Sequence, residues 1–191
     1  MQLEVAVMQG TGKVELTGSL GDVMKESARA AISFVRANAD KYDINPDFYK
    51  DKDIHIHATE AAVQKDGPSA GVTITTALIS ALTNRPIARD IAMTGEVTIR
   101  GRVMAIGGLK EKTMAAYAAG VKTVFIPKEN EPDLQDVEPI VKENITFIPV
   151  SYVDEIIDKA LVSNPQKIEQ EEWRMSDKFF ADSGKNTVVR Q

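Results

Sequence analysis

The chain is predicted to fold as an α+β or mixed α/β single domain. Short period-two strands and amphipathic helices intermingle along it, and their alternation lacks the regularity of a doubly wound sheet. With 191 residues, 43% of them hydrophobic and 27% charged, it can bury one sizeable core. The globular domain is expected to span residues 1–162, followed by a C-terminal tail or peripheral helix over 163–191.

Residues 3–7 alternate as a strand and residues 13–17 as a second, with Gly10 and Gly12 marking a turn between them. A helix over 21–38 places Met24, Ala28, Ala31 and Val35 at helical spacing. Residues 43–52, with Pro46, read as a polar loop. In a strand over 53–59, Ile54 and Ile56 share one face and His55 and His57 the other. A polar loop over 60–67 leads to Pro68, whose fixed dihedral suits the first turn of a helix. That helix, 69–83, is apolar round most of its circumference, which predicts burial, and Asn84-Arg85-Pro86 ends it.

Short strands follow over 91–94, 97–100 and 103–106, separated by Gly95 and Gly101. Gly107-Gly108 opens a helix over 109–119 that Gly120 closes. A strand over 122–126, an acidic stretch with one short helix, and a strand over 145–150 come next. Ser151 is suited to cap a last helix in which Val153, Ile156, Ile157 and Ala160 face inward. Ser163-Asn164-Pro165 breaks that helix, and a polar tail carries Trp173, Phe179 and Phe180.

Composition excludes several classes of function. The net charge of −5 offers no basic footprint for nucleic acid. No apolar run approaches membrane-spanning length and no basic-then-apolar leader opens the chain, so no membrane partner is expected. The absence of cysteine removes disulfides, thiol nucleophiles and thiolate metal sites, and it fits a reducing compartment such as the cytoplasm. Asn144-Ile145-Thr146 matches a glycosylation acceptor, but without a secretion signal it reads as chance. Gly10-Thr11-Gly12-Lys13 is too short for a phosphate-binding loop, and Val14 stands where a magnesium-binding hydroxyl belongs.

The first candidate for chemistry is Asp66-Gly67-Pro68-Ser69-Ala70-Gly71. A serine in the first turn of a buried helix meets free backbone N–H groups and the positive end of the helix dipole. Both stabilise an alkoxide or a tetrahedral oxyanion. Small neighbours let a substrate backbone approach, although a serine there can also serve only to cap the helix. The second candidate is Lys112. A lysine acts as a general base only when neutral, and desolvation or the N-terminal helix dipole pushes it that way. Leu109, Ala116 and Ala119 form an apolar stripe at helical spacing from Lys112, which predicts desolvation; the competing reading is a solvated surface lysine beside Glu111. Thr94, before Gly95, is suited to orient a base or to pack. Asp66 is suited to tune a nearby lysine or to cap the Pro68 helix. His55 and His57 lack a third ligand at a telling spacing, so no metal is expected there, but a Ser-His pair with Ser69 stays open.

Five blocks taken together are far more specific than any one. They are Leu16-Thr17-Gly18-Ser19-Leu20-Gly21-Asp22-Val23-Met24-Lys25-Glu26-Ser27-Ala28, Asp53-Ile54-His55-Ile56-His57, Lys65-Asp66-Gly67-Pro68-Ser69-Ala70-Gly71, Met93-Thr94-Gly95-Glu96 and Gly107-Gly108-Leu109-Lys110-Glu111-Lys112. In this order and spacing, over residues 2–162, the chain resembles the proteolytic domain of the bacterial Lon family of ATP-dependent serine proteases. The resemblance implies a Ser-Lys dyad with Ser69 as nucleophile and Lys112 as base, needing no metal or cofactor for the peptidase step. It implies that Thr94 hydrogen-bonds the lysine and that Asp66 takes part in switching between active and inactive forms.

The resemblance also implies unfolded or damaged polypeptide substrates, a hexamer, and an AAA+ module using ATP and magnesium that is not in these residues. The N-terminal region and opening strand of family members are missing too, so Met1 is expected to begin a piece of a longer family sequence. Thr59, Ala61 and Gln64 depart from the Pro and Gly usual in the loop flanking the substrate groove, which puts the cleavage preference in doubt. The alternative implied function is a non-catalytic Lon-like assembly module attached to an ATPase, as in a DNA-repair relative.

Overall fold

The structure is a computed structural model and describes residues 1–59, 62 and 64–162; the expected tail over 163–191, with Trp173, lies outside the described residues. β1 (Leu3–Gln9) and β2 (Val14–Thr17) do not form a hairpin, because β3 (Lys52–Ala58) inserts between them. β3 runs antiparallel to β1 and parallel to β2. The tight link over Gly10–Lys13 therefore spans a strand rather than a turn between neighbours. Asp53 holds this link by accepting the amides of Thr11 and Lys13, both at 2.8 Å, and those bonds lower its carboxyl below the ordinary range. In β3 the period-two pattern holds: Ile54 and Ile56 are buried, and His55 and His57 share the other, partly exposed face.

α1 (Asp22–Ala37) joins β2 to β3 and buries Met24, Ser27, Ala28, Ala31, Phe34 and Val35 on one stripe. A 3-10 turn (Asp40–Tyr42) follows it, and the expected loop over 43–52 contains the short α2 (Phe48–Asp51), whose Phe48 is buried in the core. α3 (Gly71–Thr83) is the central helix, packed on α1 and β1. Thr75, Thr76 and Thr83 return their hydroxyls to the carbonyls one turn back, which satisfies them inside an apolar environment. α3 ends where Asn84-Arg85-Pro86 was expected to end it, and Asn84 takes the left-handed conformation there.

β4 (Ile91–Met93) starts a second sheet, of order β4-β7-β8, completed by β7 (Thr123–Pro127) and β8 (Thr146–Val150), all parallel. Between β4 and β7 lie a small hairpin, β5 (Glu96–Val97) with β6 (Val103–Met104), and α4 (Leu109–Ala118). α5 (Pro139–Asn144) connects β7 to β8, and α6 (Val153–Ala160) packs on α3 and β8. β7 is buried on both faces: Phe125 enters the main core with α1, α3 and α6, while Val124 and Ile126 join Leu109, Val137, Val141 and Ile145 in a second core.

Several expected boundaries are corrected. Residues 98–100 form a turn rather than the expected strand, because the Thr98 hydroxyl captures the amides of Arg100 and Arg102. β6 stops at Met104 instead of continuing to Ile106. Ser151 does not cap α6 with its side chain; Glu155 reaches back to the amides of Ser151 and Tyr152, both at 2.9 Å. Among the described residues no helix is long and apolar enough to cross a membrane.

Candidate active site around Ser69

Ser69 sits in a single 3-10 turn, Pro68–Ala70, that precedes α3, rather than in the α-helix itself. Gly67 enters this turn at φ 134°, a conformation that a side chain would strain, and Pro68 occupies its first position. The backbone here is fixed by distant parts of the chain. The Ser69 carbonyl accepts the Gly95 amide at 2.9 Å and the Thr94 hydroxyl at 3.4 Å. Gly95 returns its own carbonyl to the Val72 amide at 3.1 Å. Ser27, a polar residue on the buried stripe of α1, donates its hydroxyl to the Pro68 carbonyl at 3.3 Å. Gly71 lies so close to the hairpin that a Cβ there would meet the Val97 backbone nitrogen at 2.7 Å. The serine thus stands just ahead of the N-terminal end of a 13-residue buried helix, where partial positive charge favours an anion.

Asp66 does not cap the Pro68 turn. Its Oδ1 accepts the Gly67 amide at 3.0 Å and the Met24 amide at 3.2 Å. Met24 is in the first turn of α1, so Asp66 serves as an N-terminal cap for a helix 42 residues away. The fit is close, since a Cβ on Gly21 would run into the Asp66 side chain at 2.3 Å.

Lys112 departs from expectation. Its side chain is exposed, and Nζ donates to the Gly107 carbonyl at 2.9 Å. α4 turns Leu109 and Thr113 inward, and Ala119 is exposed, so the apolar stripe passes beside Lys112 rather than under it. Thr94, which is buried, bonds the Ser69 carbonyl rather than the lysine. The structure therefore joins Ser69, Thr94 and Gly95 in one hydrogen-bonded unit, with Asp66 on its α1 side, and holds Lys112 at its own helix start. His55 and His57 converge on a third group: Thr17 Oγ1 lies 2.8 Å from His55 Nε2 and 2.7 Å from His57 Nδ1. Among the described residues no cluster of three or more His, Cys, Asp or Glu could hold a metal.

Two polar residues in the site's support were missed in the sequence. Ser27 carried a signal, as a hydroxyl on an otherwise apolar helical stripe. Asn130, which bonds the backbone just before Gly107, lies in a charged stretch with no pattern to mark it.

The chain matches the family described as the Lon protease (S16) C-terminal proteolytic domain over residues 1–163. It is 55% identical over 166 residues to a Lon protease of Bacillus thuringiensis, covering 87% of this chain and 21% of that relative. It is 54% identical over 169 residues to a Lon protease of Clostridioides difficile, covering 88% of this chain and 22% of the relative. A Lon protease of Vibrio parahaemolyticus is 52% identical over 171 residues, 90% of this chain and 22% of the relative. The chain thus spans about a fifth of the length of these relatives. A family match over nearly the whole described chain, on the fold and motifs above, means that this chain belongs to the Lon protease C-terminal proteolytic domain family.

Proposed function

We propose that this chain is the peptidase domain of an ATP-dependent protease and hydrolyses peptide bonds of unfolded polypeptides through a Ser69–Lys112 dyad. The observation that carries this reading is the anchoring of Ser69 at the start of α3, where Gly95 and Thr94 fix its carbonyl and the helix dipole favours negative charge. Neutral Lys112 takes the Ser69 proton as Oγ attacks the substrate carbonyl. The tetrahedral oxyanion collapses to an acyl-enzyme, Lys112 returns the proton to the leaving amine, and water then releases the acyl group.

The contact of Lys112 with the Gly107 carbonyl is the resting arrangement in this reading. Activation swings the flexible side chain off that carbonyl toward Ser69, and the arriving substrate supplies the desolvation that a neutral lysine needs. Asp66 keeps the nucleophile segment docked on α1 through the Met24 amide, and loss of that bond is the route by which Asp66 would take part in switching to an inactive form. The full protein would work as a hexamer in the cytoplasm, with an AAA+ module feeding it unfolded chains. The 1–162 unit carries the chemistry, and this chain alone is expected to digest folded proteins poorly.

The exposed position of Lys112 favours one second reading, a non-catalytic assembly module. Cleavage of a fluorogenic peptide and of unfolded casein by wild type, Ser69→Ala and Lys112→Ala decides between them. The dyad predicts an active wild type, two inactive variants, and a rate that rises with pH. The sign follows from the mechanism, since only the deprotonated amine accepts a proton. A wild type inactive at every pH and concentration would support the assembly module.

A further inference from the structure

We propose that Asn130 is a positioning residue for this reaction: its side-chain amide pairs with the backbone of Ile106 and so sets where Gly107 and Gly108 hold Lys112. The inference rests on the reading of Lys112 as the general base.

Asn130 is only 3% exposed, within the 3-10 segment Lys128–Asp136 that follows β7. Its Oδ1 accepts the Ile106 amide at 2.9 Å, and its Nδ2 donates to the Ile106 carbonyl at 2.9 Å. The second Nδ2 hydrogen goes to Asp133 Oδ2 at 2.6 Å. Both amide hydrogens and the oxygen are engaged, and a flipped amide would set its NH2 against the Ile106 N–H, so only one orientation works. This pairing replaces the ladder that would have carried the strand from Met104 through Ile106: where β6 ends, a side-chain amide takes over as the strand partner.

The next two residues are glycines. Gly108 adopts φ 70°, and a Cβ at Gly107 would meet nothing within 4 Å. Packing therefore does not restrain Gly107, a Cβ at Gly108 would meet only the ends of the Glu111 and Lys112 side chains, and glycine has the widest backbone freedom of any residue. Two anchors flank the pair. On one side α4 begins, pinned by Lys110 to Glu138 at 2.9 Å. On the other is Ile106, held by Asn130. Lys112 is tied to this segment twice, through its Nζ on the Gly107 carbonyl and its amide on the Gly108 carbonyl. A shift at Ile106 passes through the glycine pair to the first turn of α4, and so to the backbone from which the Lys112 side chain swings toward Ser69; a misplacement near 1 Å at a reacting group costs about a hundredfold in rate.

The test is the pH–rate profile of fluorogenic peptide hydrolysis by this chain. Asn130→Asp keeps the size and the acceptor but removes both donors and faces the Ile106 carbonyl with a carboxylate. Val141→Ala weakens the second core, against which Ile106 packs, but removes neither hydrogen bond between Asn130 and Ile106, and so shows what lost stability alone does. The expected result for Asn130→Asp is a kcat reduced about tenfold or more, a KM within about twofold, and a profile midpoint displaced from those of wild type and Val141→Ala. An Asn130→Asp profile and kcat that superimpose on those of Val141→Ala would overturn the inference. Should Asn130→Asp not fold, Asn130→Ser makes the same comparison with the same two outcomes. Lys112→Ala separates the levels: if it stays as active as wild type, the base reading falls and takes this inference with it. If it is inactive while Asn130→Asp matches Val141→Ala, this inference alone is wrong.

Discussion

Residues 66–72 and residues 106–112 are held by different means. The first segment is tied to parts of the chain far away in sequence: α1 through Met24 and Ser27, and the end of β4 through Thr94 and Gly95. Moving Ser69 would disturb the main core. In the second segment Lys112 contacts its own neighbours, Gly107 and Gly108, and the segment is tied to the rest through Asn130, Glu138 and the burial of Leu109 in the smaller second core. A nucleophile built into the core and a base resting on a glycine pair at the surface make a site in which one partner is rigid and the other can be repositioned. Local stability differs across a fold in this way, and groups that move in function come from the weakly tied end.

Several experiments break or sharpen this contrast. The largest effect is expected from Ser69→Ala, which should lower peptide hydrolysis by at least about 1,000-fold with an unchanged melting temperature, since a small polar group is lost from a well-anchored turn. Lys112→Ala should lower it by about 100- to 10,000-fold, again without loss of stability, because its side chain is exposed. Gly71→Ala tests the rigid side. Its Cβ would meet the Val97 nitrogen at 2.7 Å, so urea unfolding should show a loss of about 1–3 kcal/mol along with reduced activity. Asp66→Ala should cost about 1 kcal/mol through the lost cap of α1, and Asp66→Asn less, because an acceptor for the Met24 amide remains. The smallest effect is expected from His55→Gln and His57→Gln, with activity within about twofold of wild type, since both rings are engaged with Thr17. A hundredfold loss in either variant would replace the Ser-Lys mechanism with a Ser-His one.

Much of the fold was legible because single segments carried complete signals. The stripe of α1, the all-round apolar character of α3 and the two faces of β3 follow from side-chain period and need no knowledge of neighbours. That Pro68 and Ser69 stand where a buried helix starts was also readable, but not that a separate 3-10 turn holds them ahead of it. Partnership was not readable. Nothing local says that β3 separates β1 from β2, or that Asp66 caps α1 instead of its own turn. The burial of Lys112 was misjudged because Leu109 and Ala116 establish a stripe, but a stripe's edge depends on which surface docks against it.

By itself, then, the sequence determined element types, the buried faces, the candidate pair Ser69 and Lys112, and the family. These depend on periodicity, turn chemistry and ordered motifs, all written along the chain. Only the tertiary structure decided which carbonyl Thr94 and Gly95 hold, which helix Asp66 caps, and what Asn130 grips. Each of those is a hydrogen bond between segments about 20 or more residues apart, and its formation depends on how the two cores pack rather than on any local preference.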